Sequence, residues 1–359
     1  MKVDLKLLNE TIKRASAYTV EGLRFNPALG MLHIKTDSTG FYATITAFRL
    51  SSLITITLPI EKTERDLDFM VAARALKNLL KVRKAGAITF DVVDGNLKVM
   101  GIGSEYSMET YKGRKTELPD FGSKITSFSM DGATLKKAFT GCKKISTYPI
   151  LLRVHEGALT IQGTDGDSTL MYSSKLDQVT LDFTVACDLD GVQIDKGETE
   201  ISVYSEWLSF SNGGISQFLV RQEQTVPAVT VRSSHPLSPG GGKEELQRQL
   251  DIATCYGMGT VWFSFSPGVL TVSGKCDAGS MYSDITVVSD AAANYFFGVS
   301  SKATKRAIGY FPKGEIILKI AYVGDDIKPV SCLAISQPGC DYIVVVAINP
   351  KQVTNLPQP

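Results

Sequence analysis

Gly157-Ala-Leu-Thr-Ile-Gln-Gly163 returns 111 residues later as Gly268-Val-Leu-Thr-Val-Ser-Gly274, and the earlier segment Gly95-Asn-Leu-Lys-Val-Met-Gly101 has the same form. The two later copies are each followed by Met-Tyr-Ser, beginning at Met171 and at Met281. Glycine followed by alternating apolar and polar residues is typical of a turn that leads into a β-strand. The pattern therefore predicts one building block that is used repeatedly.

A second pattern recurs at nearly the same period. Val71-Ala-Ala-Arg, Val185-Ala-Cys-Asp and Val299-Ser-Ser-Lys begin 114 residues apart each time. Two patterns in one order at one period predict three copies of a domain. Turn-rich breaks at Glu117–Ser123 and around Ser233–Gly242 separate the copies. We predict domains at residues 1–124, 125–231 and 232–349, followed by a polar tail at 350–359.

Each predicted domain alternates helical and strand patterns. Apolar residues four apart, such as Leu8 and Ile12, predict amphipathic helices, and two-residue alternation predicts the strands between them. A strand after Gly40, about 55 residues before Gly95, suggests two similar halves in each domain. The fold class is therefore α+β with antiparallel sheets. The predicted helices are Leu5–Ala17, Ala73–Lys84, Asp131–Ile145, a short piece after Val185, Glu244–Thr254 and Ser300–Tyr310.

The composition is that of an ordinary globular protein, with 43% hydrophobic and 21% charged residues in 359. The N-terminus lacks the apolar run of a signal peptide, and the longest apolar run, Tyr342–Ile348, is too short to cross a bilayer. The six cysteines form no close CxxC pair, which favours reduced thiols over disulfides. We predict a cytoplasmic protein.

The net charge of +1 conceals a segregation of positive charge into the helices. Five basic residues and no acidic one lie between Ala73 and Lys84, four between Gly132 and Ile145, and three between Ser300 and Tyr310. Such faces can simply be solvated, but solvated helices usually mix the two signs. Several like-charged helices indicate a polyanion opposite them, and nucleic-acid phosphate bound without base reading is the obvious candidate.

Several segments resemble a known family, the bacterial sliding clamp, which is the beta subunit of DNA polymerase III. The similarity spans roughly residues 1–348 and is diffuse between its anchors, as in a divergent member. The anchors are Val71-Ala-Ala-Arg-Ala-Leu, Ser104-Glu-Tyr-Ser-Met-Glu-Thr, Leu118-Pro-Asp-Phe, Thr164-Asp-Gly, Phe297-Gly-Val-Ser and Tyr342-Ile-Val-Val.

The resemblance implies a homodimer ring of six domains, with helices lining a central channel and antiparallel sheets outside. Duplex DNA would pass through the channel and be held by diffuse phosphate contacts that permit sliding. The residues predicted to contact DNA are Arg24, Arg74, Lys77, Lys81, Lys136, Lys137, Tyr148, Lys302, Lys305 and Arg306.

The resemblance also implies a partner-peptide cleft and a dimer interface. The cleft positions are Thr164, Gly166, Leu170, Pro227, Val231, Val344, Val345 and Val346. The interface positions are Tyr106 and Met108 on one side and Cys255 and Tyr256 on the other, although Tyr106 and Met108 can also be plain core residues. The family's T-D-G-H-R-L reads Thr164-Asp-Gly-Asp-Ser-Thr-Leu170 here, and the ending is longer. We hypothesise that the tail covers or reshapes the cleft.

No catalytic pattern stands out. Gly101-Ile-Gly103 and Gly240-Gly-Gly-Lys243 lack the spacing of nucleotide-binding loops, and no nucleophile–base pair is evident. A metal site at Cys276, Cys332 and Cys340 stays open as a minor alternative.

We therefore predict a non-enzymatic processivity factor for DNA replication that needs no cofactor. It would encircle double-stranded DNA non-specifically, tether a DNA polymerase and require an ATP-dependent clamp loader, with no membrane contact. The alternative is a clamp-like interaction protein, borne by a phage or plasmid, that binds replication proteins without encircling DNA.

Overall fold

The structure, a computed structural model, describes residues 1–20, 26–81, 86–101, 104–113, 115, 117–176, 181–224, 229, 231–239, 242–288, 295–323 and 330–354, and of these it describes only the backbone at 232–239, 287–288 and 350–354. The chain divides into two compact units. Unit 1 comprises Met1–Lys136 with Cys187–Arg221, and unit 2 comprises Lys137–Ala186 with Gln222–Pro359.

The described residues form five α-helices. They are α1 (Leu5–Ala15), α2 (Ala73–Lys81), α3 (Gly132–Ile145), α4 (Gly242–Cys255) and α5 (Ser301–Gly309). Five of the six predicted helices are therefore present, with ends shifted by a few residues. The boundary between the two units falls inside α3.

In the described part of the chain, twelve strands precede the middle of the sequence and twelve follow it. The first twelve are β1 (Lys2–Asp4), β2 (Met31–Thr36), β3 (Tyr42–Arg49), β4 (Ser52–Pro59), β5 (Asp68–Ala72), β6 (Ala87–Val93), β7 (Asn96–Gly101), β8 (Ser104–Glu109), β9 (Lys124–Asp131), β10 (Ile150–His155), β11 (Ala158–Thr164) and β12 (Ser168–Lys175). The others are β13 (Phe183–Cys187), β14 (Glu198–Tyr204), β15 (Trp207–Asn212), β16 (Ile215–Gln222), β17 (Val231–Pro239), β18 (Thr260–Ser266), β19 (Val269–Cys276), β20 (Gly279–Val288), β21 (Tyr295–Ser300), β22 (Ile317–Val323), β23 (Val330–Ser336) and β24 (Tyr342–Thr354).

In the described residues, the chain repeats as half-domains of four strands, with a helix after the first strand in every half-domain except the one that begins at β13. In each predicted domain, the first strand of one half pairs with the second strand of the other half. These pairs are β1–β6 and β5–β2, then β9–β14 and β13–β10, then β17–β22 and β21–β18. The strands of these sheets pair antiparallel, and the predicted α+β class with antiparallel sheets is confirmed.

Unit 1 contains two sheets. One has the order β1-β6-β7-β8. The other runs β5-β2-β3-β4-β16-β15-β14-β9, and its β4–β16 contact joins strands of the first and second predicted domains. Helices α1 and α2 pack together, and their buried leucines Leu8, Leu76 and Leu80 belong to one core.

Unit 2 repeats this long sheet with different strands. Its order is β13-β10-β11-β12-β24-β23-β22-β17. A second run, β20-β19-β18-β21-β24, uses the later part of β24. Because each long sheet combines strands of two predicted domains, the compact units do not coincide with those domains. The three-domain boundaries stay a prediction.

The repeated glycine of the opening motif has a conformational cause. Gly95 and Gly157 have φ of 76° and 72°, and each follows a residue that also has positive φ. Two consecutive positive φ angles define the type I′ turn, whose twist matches that of the two flanking strands. Gly268 follows Pro267 and has φ of 78°, as the second central residue of a type II turn requires. The pattern thus marks hairpins, as predicted.

The helix predicted after Val185 is wrong. Residues 188–197 connect β13 to β14 without a helix. The Asp188 side chain accepts a hydrogen bond from the Asp190 amide at 2.9 Å, and Gly191 has φ of 82°. Asx turns and left-handed glycine both compete with helix formation. Leu189 and Ile194 are buried instead by an irregular path.

A buried amide fixes this irregular segment. Gln217 Oε1 accepts hydrogen bonds from the Tyr18 hydroxyl at 2.6 Å and from the Gln193 amide at 2.8 Å. Gln217 Nε2 donates to the Gln193 carbonyl at 2.6 Å. Both Gln217 and Tyr18 are buried, so these bonds replace contacts that water would otherwise make. Gln217 in β16 therefore connects Tyr18, which follows α1, to the helix-free segment within unit 1.

Candidate nucleic-acid interface and partner-binding surface

Helix α2 separates apolar and cationic residues onto different faces. Ala73, Leu76 and Leu80 are buried, whereas Arg74 and Lys81 are exposed and Lys77 is half-buried. The three cations are spaced three and four residues apart, so they form one stripe along the helix. Lys77 and Lys81 form no ion pair with any residue that the structure describes. The stripe is a suitable surface for diffuse phosphate contact.

The cations of α3 and α5 also lie on exposed faces. Lys136, Lys137, Lys302 and Arg306 are exposed, and Lys305 is half-buried. Three of the predicted contacts are already paired with carboxylates from other elements. The pairs are Lys137 with Asp341 at 2.9 Å, Lys305 with Asp251 at 2.8 Å, and Arg306 with Asp165. Sequence reasoning missed these acidic partners, which lie far away along the chain or on another element.

Two predicted DNA contacts lie apart from the helices. Tyr148 follows α3 and is 42% exposed. The Ser146 hydroxyl donates to the Tyr148 carbonyl at 2.6 Å, which fixes this turn. Arg24 lies outside the described residues. The DNA-contact roles of all these residues stay predictions.

Three of the eight predicted cleft positions point into the core. Leu170 is opposite Val344 in the β12–β24 pair, and both are buried, as is Val346. Directly opposite residues share a sheet face, and neighbours along a strand alternate. Val345 therefore lies on the other face, level with Thr169.

An apolar patch covers that other face of the long sheet in unit 2. Its buried members are Met171, Ala321, Cys332, Ala334 and Val345, and the partly buried Val229, Val231, Val323 and Ile343 pack against them. Of the predicted cleft positions, Val231 and Val345 belong to this outer apolar patch. Met171 and Ile343 were missed, although the alternation along Tyr342–Val346 could have placed Ile343 with Val345.

A cavity of about 310 Å³ opens beside the outer apolar patch. Met171, Val229 and Ile343 form its apolar side, and Arg153 and Thr160 are among its polar residues. The combination of an apolar floor and a few polar groups suits a short extended peptide.

A buried glutamine holds the segment that borders this cavity. Gln162 Nε2 donates to the Val229 carbonyl at 2.5 Å, and the Val229 amide donates to Gln162 Oε1 at 2.9 Å. Val229 and Val231 are thereby held against the sheet. Thr164 and Gly166 lie in the β11–β12 turn, where the Gly166 amide donates to Thr164 Oγ1 at 3.1 Å. Pro227 lies outside the described residues.

The predicted dimer positions lie on an edge strand and at the end of a helix. Strand β8 forms one edge of its four-stranded sheet, with Tyr106 43% exposed and Met108 half-buried. Met108 packs against the core of unit 1. Cys255 and Tyr256 are exposed at the end of α4. Exposed edge strands are templates for pairing with another chain, so the interface stays a reasonable prediction.

Strand β24 continues to Thr354, five residues beyond the predicted end of the third domain at residue 349. The backbone of Val353 pairs with Phe297 and that of Thr354 with Phe296. This pairing joins the tail to β21, and the hypothesis that the tail covers or reshapes the cleft stays untested. Residues 355–359 lie outside the described part.

In unit 1, the carboxylate of Asp68 in β5 contacts Lys115, which lies in the segment that follows β8. Asp68 Oδ1 lies 2.8 Å from Lys115 Nζ and 2.6 Å from His33 Nε2, and Lys115 also donates to the Asp68 carbonyl. Burial disfavours the charged carboxylate. Hydrogen bonds from Lys115 and His33 outweigh burial and hold the pKa of Asp68 below its ordinary 3.8.

This shift predicts a loss of stability in acid. A lowered folded-state pKa stabilises unit 1 above the unfolded value of 3.8, and the contribution is lost as pH falls through the folded pKa. The Tm advantage of the wild type over Asp68→Asn should therefore shrink between about pH 5 and pH 2. The exposed neighbour Asp66→Asn is the control. A difference in Tm between wild type and Asp68→Asn that is independent of pH would contradict the assignment.

The candidate metal ligands do not converge in the part of the chain described. No group of three or more His, Cys, Asp or Glu side chains there could hold a metal ion. All six cysteines are free thiols, and burial raises the pKa of Cys332 to about 11. Among the described helices, none is long and apolar enough to span a bilayer.

Solved structures of bacterial sliding clamps share this architecture. The DNA polymerase III beta subunit of Pseudomonas aeruginosa superposes with a TM-score of 0.75 at 15% identity, covering 97% of this chain and 99% of that one. The Streptococcus pyogenes beta subunit gives 0.73 at 13% identity, with the same coverage. A Helicobacter pylori beta clamp bound to a DNA ligase peptide gives 0.70 at 11% identity, again with the same coverage. No family model matches the sequence. No curated protein matches it either.

The fold is thus that of a DNA sliding clamp. The resemblance to the bacterial DNA polymerase III beta subunit is confirmed at the level of fold, at the low identity of a divergent member.

Proposed function

We propose that this chain is a sliding clamp, a non-enzymatic protein that encircles duplex DNA as a homodimer and tethers a replicative polymerase. The observation that carries the proposal is the cationic stripe of α2, whose Lys77 and Lys81 form no ion pair with any described residue, on a chain whose fold matches that of sliding clamps over 97% of its length. Phosphate contacts of this kind read no bases and release counterions, so they hold DNA weakly and allow movement along it. We place the protein in the cytoplasm, and it needs no cofactor.

The outer apolar patch supports a role in partner binding. The cavity of about 310 Å³ beside the patch is lined by both polar and apolar residues. Linear peptides favour surfaces of this mixed kind. A related clamp holds a DNA ligase peptide. We propose that polymerase and an ATP-dependent loader dock on this patch through short segments.

The deciding experiment compares topological with ordinary binding. The chain is loaded on nicked circular DNA with ATP and the loader of its own host, then gel-filtered before and after the DNA is linearised. A closed ring stays with the circle and leaves the linear form. A linear duplex whose ends are blocked by streptavidin is the control and should retain the ring. Equal retention on open linear and circular DNA would refute encirclement.

The solution mass supplies an independent check. Ring closure requires two chains, so light scattering should give a mass near twice 38.9 kDa. A monomer at the concentration of the loading experiment would contradict the ring.

A second candidate function is a clamp-like protein that binds replication proteins without encircling DNA. Residues 188–197 favour it, because they replace a helix of the repeated half-domain with a segment that carries Asp188, Asp190 and Asp195. Asp195 pairs with Arg14 of α1, so one predicted basic helix is partly neutralised. Partner binding without retention on circular DNA would establish this alternative.

A further inference from the structure

A lysine on α5 is held by an aspartate on the neighbouring helix. Lys305 Nζ lies 2.8 Å from Asp251 Oδ1 and also donates to Thr254 Oγ1 at 3.2 Å. The Lys305 and Asp251 side chains are 40% and 48% exposed, so both remain within reach of a ligand. The hydrogen bond from Lys305 lowers the pKa of Asp251, and the same bond raises the pKa of Lys305. Each group thus stabilises the charge of the other.

A lysine on α3 is also paired with an aspartate, which in this case lies in a turn between two strands. Lys137 Nζ lies 2.9 Å from Asp341 Oδ2, and the two side chains are 53% and 62% exposed. Asp341 belongs to the turn between β23 and β24, which lies 204 residues further along the chain. The pair therefore depends on the tertiary structure and not on charges placed within one helix.

The two described lysines of α2 lack such restraint. Lys77 and Lys81 have no carboxylate partner among the residues that the structure describes. The basic helices thus divide into one whose lysines are available and two whose lysines are partly occupied. Charge counting along the sequence cannot distinguish these two kinds.

We infer that Asp251 and Asp341 set the DNA affinity of this chain by holding Lys305 and Lys137 away from full phosphate contact. The inference rests on the proposed DNA-binding function and assigns a restraining role to these two carboxylates. Duplex binding then depends mainly on the lysines that lack a carboxylate partner among the described residues, Lys77 and Lys81 of α2 included, and the clamp's hold on DNA stays weaker than its number of cations suggests.

The physical basis is a competition between two anions for one ammonium group. An exposed ion pair is weak, so a DNA phosphate can displace the carboxylate. The displaced carboxylate stays nearby and repels the phosphate, which reduces the gain from each contact. An asparagine at the same position has the same shape, keeps a hydrogen-bond acceptor and removes the competing charge.

The test uses Asp251→Asn, Asp341→Asn and the double variant in the full-length chain. Fluorescence anisotropy with a labelled linear duplex gives the affinity at several salt concentrations between about 50 and 200 mM. Each released lysine should make the slope of log affinity against log salt steeper by about 0.9, and the double variant by about 1.8. Affinity at the lowest salt concentration should increase in the same order.

Asp277→Asn is the matched control, because Asp277 is exposed in the β19–β20 turn and has no ion pair in the described part of the chain. It changes the net charge equally and should leave the slope unchanged. Adding Lys305→Gln to Asp251→Asn should abolish that variant's gain. Slopes equal to the control's would overturn the inference and leave the proposed function intact. A wild-type chain with no measurable affinity for the linear duplex would overturn the inference, whereas the proposed function is refuted separately, by equal retention on open linear and circular DNA in the loading experiment.

Discussion

Replacing both Lys77 and Lys81 by glutamine is expected to weaken duplex binding by roughly 60-fold at about 0.1 M salt. Each lysine–phosphate contact releases about 0.9 counterion, so the loss of two contacts changes the salt slope by about 1.8. If wild type and variant bind equally at about 1 M salt, this difference in slope becomes a factor of about 60 at a tenfold lower salt concentration. Both lysines are solvent-accessible and lie outside the buried face of α2, so the fold should tolerate the change.

The controls for this variant are lysines on other surfaces. Lys112 and Lys275 are exposed and have no ion pair with any described residue. The double variant Lys112→Gln/Lys275→Gln removes the same charge and should leave the salt slope close to that of the wild type. Anisotropy titrations on one labelled duplex measure both variants. A slope that is flattened equally in the two would show that only net charge matters, and α2 would lose its assigned role.

The fold could be predicted largely because its determinants are local. Gly95 and Gly157 mark turns whose backbone needs positive φ, and the apolar spacing of Leu8 and Ile12 marks a helix face. Such signals occur within a few residues, so one sequence shows them. Their repetition at a fixed period then predicted the number of copies, which agrees with the six half-domains in the structure.

The candidate surfaces were predicted less completely because they depend on strand register and on distant contacts. A shift of one residue along β24 exchanges Val344 for Val345 between the core and the outer apolar patch. The resemblance placed three consecutive valines in the cleft, although a strand cannot present all three to one face. Asp341 reaches Lys137 across 204 residues of sequence, and no local pattern reveals such a pair.

The missing helix after Val185 shows a third kind of limit. Its counterparts after Val71 and Val299 are helical, so the repeat predicted a helix there. Local chemistry overrides the repeat, since Asp188 and Gly191 favour turns. A distant side chain, Gln217, then satisfies the backbone of Gln193 in place of helical hydrogen bonds.

Gln217→Leu is therefore expected to destabilise unit 1 by about 2–4 kcal/mol. The change leaves three polar groups without their partner, namely the Tyr18 hydroxyl and the Gln193 amide and carbonyl. The buried Tyr18 hydroxyl costs about 1–3 kcal/mol when unsatisfied, and the two backbone groups of the exposed Gln193 cost less because water reaches them. Leucine is similar in size to glutamine, so the loss reflects hydrogen bonding and not an empty cavity. The free energy of unfolding is measured by urea denaturation.

The two tryptophans separate the units in this measurement, since Trp207 belongs to unit 1 and Trp262 to unit 2. In a Trp262→Phe background, the fluorescence of Trp207 should report the full loss. Adding Tyr18→Phe removes one of the unsatisfied groups and should restore about 1–2 kcal/mol. Gln193→Leu, at an exposed position of unit 1 whose backbone keeps both bonds to Gln217, should change stability by less than about 0.5 kcal/mol. If Gln217→Leu and Gln193→Leu had equal effects, Gln217 would not be the residue that fixes the helix-free segment in unit 1.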